Sequence, residues 1–362
     1  MNEQLRAISL FLPQYHPFPE NDEWHGKGFT EWTNTTKAMP QFKGHYQPHQ
    51  PADFGFYDLR LNEIHVQQAQ AAKDHGIYGF CHYHCWFTGK TLMERPVEEM
   101  LKLGKPDFPF CLCWTNENWT RKWDGGNREV LIEQKYSDDD DLEHIRYLLP
   151  FFADKRYIRI DGKPIFLVYR TEMIPNINRS VEIWRNEAIK AGIGDLYLIR
   201  VEAFETNIDP KTIGFDAACE FQPNWHNLPM YEIDTKWNQL LHKINIRKSP
   251  FIENKIWKYE KVANQAMYHP PKVEYKRYWG ITPQWDNTAR RKGDAIIFHD
   301  STPEKYETWL RHIKNNFKPY SKDENIFFIN AWNEWAEGNH LEPCQKWGWK
   351  YLEATANVLL EK

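Results

Sequence analysis

The chain lacks a long apolar run, a basic tract and a glycine-rich phosphate loop, and each absence narrows what it does. No stretch of its 362 residues approaches the length of a membrane span. The net charge is −4 and no basic tract stands out, which supports neither nucleic acid nor an anionic membrane surface as partner. Residues 1–10 run straight into a strand pattern without signal-peptide anatomy, so a cytoplasmic location is expected. Cysteine is scarce: Cys81, Cys85, Cys111, Cys113, Cys219 and Cys344. Four of them (Cys81, Cys111, Cys113 and Cys219) fall in apolar runs, so buried reduced thiols are expected. There is no Gly-x-Ser-x-Gly elbow, and no cysteine sits at a helix start in a basic setting. No Asp-x-Asp closes a strand and no glycine-rich loop follows the first one, so a diphosphate or dinucleotide has no evident holder. No cofactor is expected.

What the chain does have is aromatic side chains: 17 Trp, 18 Tyr and 21 Phe. Their placement follows from a repeating pattern of short apolar strands and amphipathic helices. Strands are expected at 7–12, 77–83, 110–114, 165–169, 196–201, 217–221, 278–282 and 326–329. Helices are expected at 58–75, 92–103, from Ser137 to Phe152, and at 180–191, 303–317 and 347–360. Eight strands alternating with helices predict an α/β fold, a (β/α)8 TIM barrel over residues 1–362 as a single domain. A long loop without helical period follows the first strand, and an insertion at 227–270, with one helix near 255–267, separates strands six and seven. In such a barrel the active site is built from the C-terminal ends of the strands. Trp24, Trp32, Trp86, Trp114, Trp119, Trp123, Trp225, Trp285, Trp332 and Trp335 all fall after strands, which points to one rim as a working cleft.

The densest constellation follows the last strand, at Asn330-Ala-Trp-Asn-Glu-Trp-Ala-Glu-Gly-Asn-His-Leu-Glu-Pro343. Glu334 and Glu337 are three apart, a spacing that puts both carboxylates on one side of a turn. Two carboxylates among indoles suit the hydrolysis or transfer of a glycosidic bond. Asn333 and Trp335 flank them as candidate sugar contacts. After the third strand, Trp114, Asn116, Glu117, Trp119 and Arg121 offer stacking faces and hydroxyl-binding groups, against which stands a structural Glu–Arg pair. After the seventh, Trp285 and Asp286 offer the same, against a capped turn. Trp32, Tyr15 and His16 in the first loop, and His82 and Tyr83 on the second strand, are candidate wall residues. A metal site at Cys81-His82-Tyr83-His84-Cys85 is the weaker reading, because its ligands lie in one stretch with no second pair.

Leu12-Pro-Gln-Tyr-His-Pro, Gly28-Phe-Thr-Glu-Trp-Thr-Asn34, Trp114-Thr-Asn-Glu-Asn-Trp-Thr-Arg and the motif ending at Pro343 together resemble the WbsX-like family of bacterial polysaccharide gene clusters. That family is similar at greater distance to the endo-α-mannosidases of glycoside hydrolase family 99, which are (β/α)8 barrels and retaining enzymes. The resemblance implies that Glu334 deprotonates a sugar 2-hydroxyl for internal attack on the anomeric carbon, with Glu337 as acid/base at the leaving oxygen. It implies an oligosaccharide or polysaccharide substrate and no metal, and it does not carry mannose specificity. The first reading is a retaining, endo-mannosidase-like glycoside hydrolase using the two glutamates; the alternatives are a glycosyltransferase in O-antigen, capsular or lipopolysaccharide biosynthesis, a non-catalytic glycan-binding barrel and a metal-dependent hydrolase around His82 and His84.

Overall fold

The computed structural model describes residues 5–120, 130–244, 246, 248–291 and 293–361. Eight parallel strands form its centre: β1 (Arg6–Phe11), β2 (Ile77–Phe87), β3 (Phe110–Trp114), β4 (Lys163–Val168), β5 (Tyr197–Glu202), β6 (Ala217–Glu220), β7 (Arg277–Tyr278 and Gly280–Ile281) and β8 (Ile326–Ile329). Each pairs with the next, and β8 pairs with β1 through Ala7↔Phe327 and Ile8↔Phe328. Only β7 is split, its first half on β6 (Cys219↔Tyr278) and its second on β8 (Gly280↔Phe328). The result is the (β/α)8 barrel expected from the strand repeat. Gly280 makes the closure: a Cβ there would stand 2.3 Å from the Glu220 carbonyl oxygen, so only glycine lets β6 and β7 approach.

Strands buried on both faces explain the apolar runs, since β3 and β8 have no exposed residue. The outer layer includes helices at Asn62–Asp74, Arg95–Leu103, Asp138–Ala153, Ile177–Lys190, Pro303–Asn316 and Lys350–Leu359. Ser137 caps the third of these, accepting from the Asp140 amide at 3.1 Å, and four aspartates fill its first turn against the dipole. All six cysteines are buried and unpaired.

The departures from expectation are local. Asp58 does not cap the first outer helix, which starts at Asn62; its carboxylate accepts from the Arg60 amide (2.9 Å) and grips the Arg60 guanidinium in a preceding turn. The loop after β1 carries two seven-residue helices, Pro19–His25 and Glu31–Lys37. They bury polar residues such as Asn21, Glu31 and Asn34, so no apolar period betrays them. β2 runs on to Phe87 and turns back as a hairpin, Cys85↔Leu92, where a helix start was expected. Between β6 and β7 the chain forms helices Lys236–Lys243, Pro250–Glu253 and Tyr259–Tyr268. Residues Lys255–Lys258, expected as helix, instead form a strand paired in parallel with Ile296–His299. That partner lies forty-one residues on, beyond the reach of any local propensity.

Candidate functional site

Beyond β8 the chain is tied down before it presents any charge. The Asn333 amide spans to β1: its Oδ1 accepts from the Leu12 amide at 2.7 Å and its Nδ2 donates to the Leu12 carbonyl at 3.0 Å and to the Tyr57 hydroxyl at 3.2 Å. The Tyr15 hydroxyl donates to the Asn333 carbonyl and accepts from the Trp335 amide. A single 3-10 turn, Trp335–Glu337, follows and ends at Gly338 with φ +56°. A Cβ on Gly338 would meet that of Asp286 at 2.9 Å, so this glycine lets the turn pack on the loop after β7.

The turn brings Glu334 and Glu337 to one guanidinium. Arg290 donates through Nη1 to Glu337 at 2.6 Å and through Nη2 to Glu334 at 3.1 Å. The same Nη2 reaches a third carboxylate, Glu31, at 2.9 Å, with Nε at 3.1 Å. All four side chains are nearly buried, so three anions share one cation out of water. Burial, and then the neighbouring Glu337 charge, push the Glu334 carboxyl up to about 8 in spite of Arg290. Burial raises Glu337 as well, with Arg290 opposing. The pair therefore holds a proton near neutrality and titrates as a unit.

Around this cluster stand the ends of the other strands. Tyr83 on β2 and Tyr169 after β4 meet edge to face at 6.5 Å, and both phenols are raised by burial and by nearby glutamate charge, Glu337 among them. They line a hollow at the barrel mouth with Leu10, Cys113, Glu220 and Asn330. Glu220 closes β6, accepting from the Gly280 amide at 3.3 Å, and burial raises its carboxyl too. Glu117 pairs with Arg170, which also grips Glu172 and lies 4.0 Å over the Phe204 ring.

Several nominated residues have other work. Asn116 is fully buried and bonds the Arg170 backbone in both directions at 2.8 Å. Asp286 caps the turn Asn287–Ala289, accepting from the Thr288 amide and hydroxyl, and binds His45, the geometry of the capped-turn alternative. His16 is buried, bonded to the Pro13 carbonyl at 3.0 Å and depressed by burial to about 4. Because Tyr83 faces the hollow, strand alternation turns His82 and His84 outward. His82 packs on Phe11 at 4.6 Å, and His84 meets His144 of an outer helix at 2.9 Å, both away from the hollow. Among the described residues no group of three or more His, Cys, Asp or Glu is placed to hold a metal ion.

The tryptophans are corrected most. Trp32, Trp86, Trp114, Trp285, Trp332 and Trp335 are buried core. Trp335 stacks on His340 at 3.7 Å, Trp114 donates to the Trp86 carbonyl, and Trp32 donates to the Tyr57 carbonyl at 2.8 Å. Trp24, Trp119 and Trp225 are half-buried, with Trp24 edge-on to Trp119 at 5.5 Å. Arg121 and Trp123 lie outside the described residues. Arg290 and Tyr169 were missed by sequence reasoning, and Glu31 was seen only as part of a motif. Arg290 had no local signal, since it stands in a polar loop and meets its partners only in the fold.

Comparison with known proteins adds to this geometry. A family model described as "Glycosyltransferase WbsX" matches residues 7–355. A curated protein described as "Uncharacterized protein WxcX", from Xanthomonas campestris pv. campestris (strain B100), is 41% identical over 353 residues. The match covers 97% of this chain but 49% of that protein, so the chain spans about half the length of this relative. Two structures of a GH99 endo-alpha-mannosidase from Bacteroides thetaiotaomicron superpose with TM-scores of 0.57 and 0.56 at 14% and 16% identity, each over 98% of this chain and 96% of theirs. A "Glycoside hydrolase-like protein" superposes with a TM-score of 0.61 at 11% identity, over 99% of this chain and 94% of that one.

Proposed function

Since this chain belongs to the WbsX glycosyltransferase family, we propose that it cleaves or transfers a glycosidic bond of a bacterial oligosaccharide or polysaccharide with retention, through Glu334 and Glu337. The observation that carries the proposal is the sharing of Arg290 by two buried glutamates, one with its carboxyl raised to about 8. A pair with one proton supplies an acid and a base at the same pH. In the order implied by the family resemblance, Glu334 takes the proton of the sugar 2-hydroxyl as that oxygen attacks the anomeric carbon. Glu337 protonates the departing glycosidic oxygen. In the second half Glu337 takes a proton from the incoming hydroxyl, which opens the three-membered ring at the anomeric carbon, and Glu334 returns its proton to the 2-oxygen. Water as the incoming hydroxyl gives hydrolysis; a sugar hydroxyl gives transfer, which the family's description favours. This order requires the proton shared by the pair to stand on Glu337 when sugar is bound.

The test is a screen of bacterial glycan oligosaccharides, followed by Glu334→Gln and Glu337→Gln on the substrate found. Each variant is expected to lose roughly 10²–10⁴-fold in kcat. A substrate with an activated aryl leaving group restores the variant lacking the acid and not the one lacking the base. Retention of full activity by either variant on the natural glycan refutes the assignment.

A further inference from the structure

The segment between β6 and β7 breaks the pattern of the rest of the surface. Its helix Lys236–Lys243 buries none of its residues. Trp237, Leu240 and Ile244, three and seven positions apart on one face, are 67%, 47% and 52% exposed. Met230, Ile233 and Ile246 beside them are 76%, 63% and 70% exposed. An apolar helical face turned to water, in place of the core, marks an interaction surface. Its charge is opposite in sign to that of the chain: residues 228–258 hold Lys236, Lys243, Arg247, Lys248, Lys255 and Lys258 against Glu232, Asp234 and Glu253, a net +3 in a chain of −4. The whole-chain charge conceals the sign of this segment.

The segment is anchored. Lys255–Lys258 pairs with Ile296–His299, the Glu232 amide donates to the Ile256 carbonyl at 2.7 Å, and the Trp257 indole donates to the Pro229 carbonyl at 2.8 Å. Its partner strand lies in the loop that carries Arg290, so the ends of the segment are tied to the side of the barrel where the carboxylates stand.

We propose that the Trp237–Leu240–Ile244 face is a membrane-docking surface that inserts its apolar side chains at the interface of an anionic phospholipid bilayer, with Lys236 and Lys243 meeting the headgroups. Among the described residues no helix is long and apolar enough to cross a membrane, and the attachment is peripheral. A short helix with a tryptophan and aliphatic residues on one face and lysines at its border has the composition of an interfacial helix, and the basic patch selects negative lipid. The inference rests on this segment alone and survives failure of the glycosidic assignment.

The test is flotation of the full chain with vesicles of phosphatidylglycerol and phosphatidylcholine, against phosphatidylcholine alone. Binding is expected to the anionic vesicles and to weaken with salt. Trp237→Ser with Leu240→Ser and Ile244→Ser should abolish it without change in the thermal midpoint, because none of the three is buried. Lys236→Glu with Lys243→Glu should weaken it by roughly tenfold or more. Absence of flotation with anionic vesicles at low salt overturns the proposal, as does undiminished flotation of the triple serine variant. Concentration-dependent self-association of the wild type that the serine variant loses, without vesicle binding, also overturns it and assigns the face to a second copy of the chain.

Discussion

Two groups of buried glutamate sit within eight residues of each other after β8, and they are solved in opposite ways. Glu342 is held by neutral donors: the Trp335 indole at 2.7 Å, the Tyr57 hydroxyl at 2.8 Å and the Gln68 amide at 2.7 Å. Glu334 and Glu337 are held with Glu31 by the single charge of Arg290. The neutral cage fixes one carboxyl between three donors from three parts of the chain, and that carboxyl ties the turn to the first loop. The ionic cluster has one cation for three anions, so its residual charge is relieved by taking up a proton. Burial raises the carboxyls at both sites; what differs is that Glu342 stands alone among three neutral donors, whereas Glu334 and Glu337 share one guanidinium and titrate together.

The comparison is broken most severely at the cation. Arg290→Met leaves three buried carboxylates without their hydrogen-bonded cation, only the more distant Arg291 charge still reaching Glu337, and is expected to cost about 3–5 kcal/mol in a denaturant titration. Because Arg290 lowers both glutamates, its loss moves their pKa values further up. The alkaline limb of the activity profile, expected near pH 8 where the pair gives up its shared proton, then shifts to higher pH in whatever folded fraction remains. An unmoved limb assigns the titration to other groups.

Next comes the cage. Glu342→Ala strands three buried donors and is expected to cost about 2–4 kcal/mol of stability. It should not move the alkaline limb of the rate profile, and a shift like that of the Arg290 variant erases the distinction between the two sites.

The smallest effect is Glu342→Gln, which keeps size, keeps its hydrogen bonds once the Gln68 amide turns its oxygen to accept, and cannot ionise. Burial raises the Glu342 carboxyl to about 7, above its unfolded value, so the native state holds the proton more tightly. The stability this gives is full below about pH 4.5 and lost as pH rises through about 7, by at most roughly 3 kcal/mol. The variant is expected to gain on the wild type between pH 5 and pH 8, read as the difference in thermal midpoint. A pH-independent difference contradicts the raised carboxyl.

Much of the fold was legible because its signals are local. Strand β8 was placed at Ile326–Ile329 and β3 at Phe110–Trp114 with their observed bounds, since four or five consecutive β-forming apolar residues suffice for a strand buried on both faces. The helix Glu31–Lys37 was not legible, because its buried face is made of Glu31, Asn34 and Thr35 and follows no apolar period. The reading of the tryptophans after the strands as a cleft misjudged depth at six of them, Trp32, Trp86, Trp114, Trp285, Trp332 and Trp335. An indole after a strand serves equally well to roof the barrel, as Trp332 and Trp335 do with at most 1% exposure.

By itself the sequence determined the strand repeat, hence the closed barrel, and the nearness of Glu334 to Glu337, which three residues of turn geometry impose. The tertiary structure alone decided what those glutamates meet. Arg290 lies forty-four residues from Glu334, and Glu31 lies some three hundred away, in a different loop of the rim. Charge pairing in a buried site depends on distance in space and on the exclusion of water, and neither is a property of neighbouring positions in a chain.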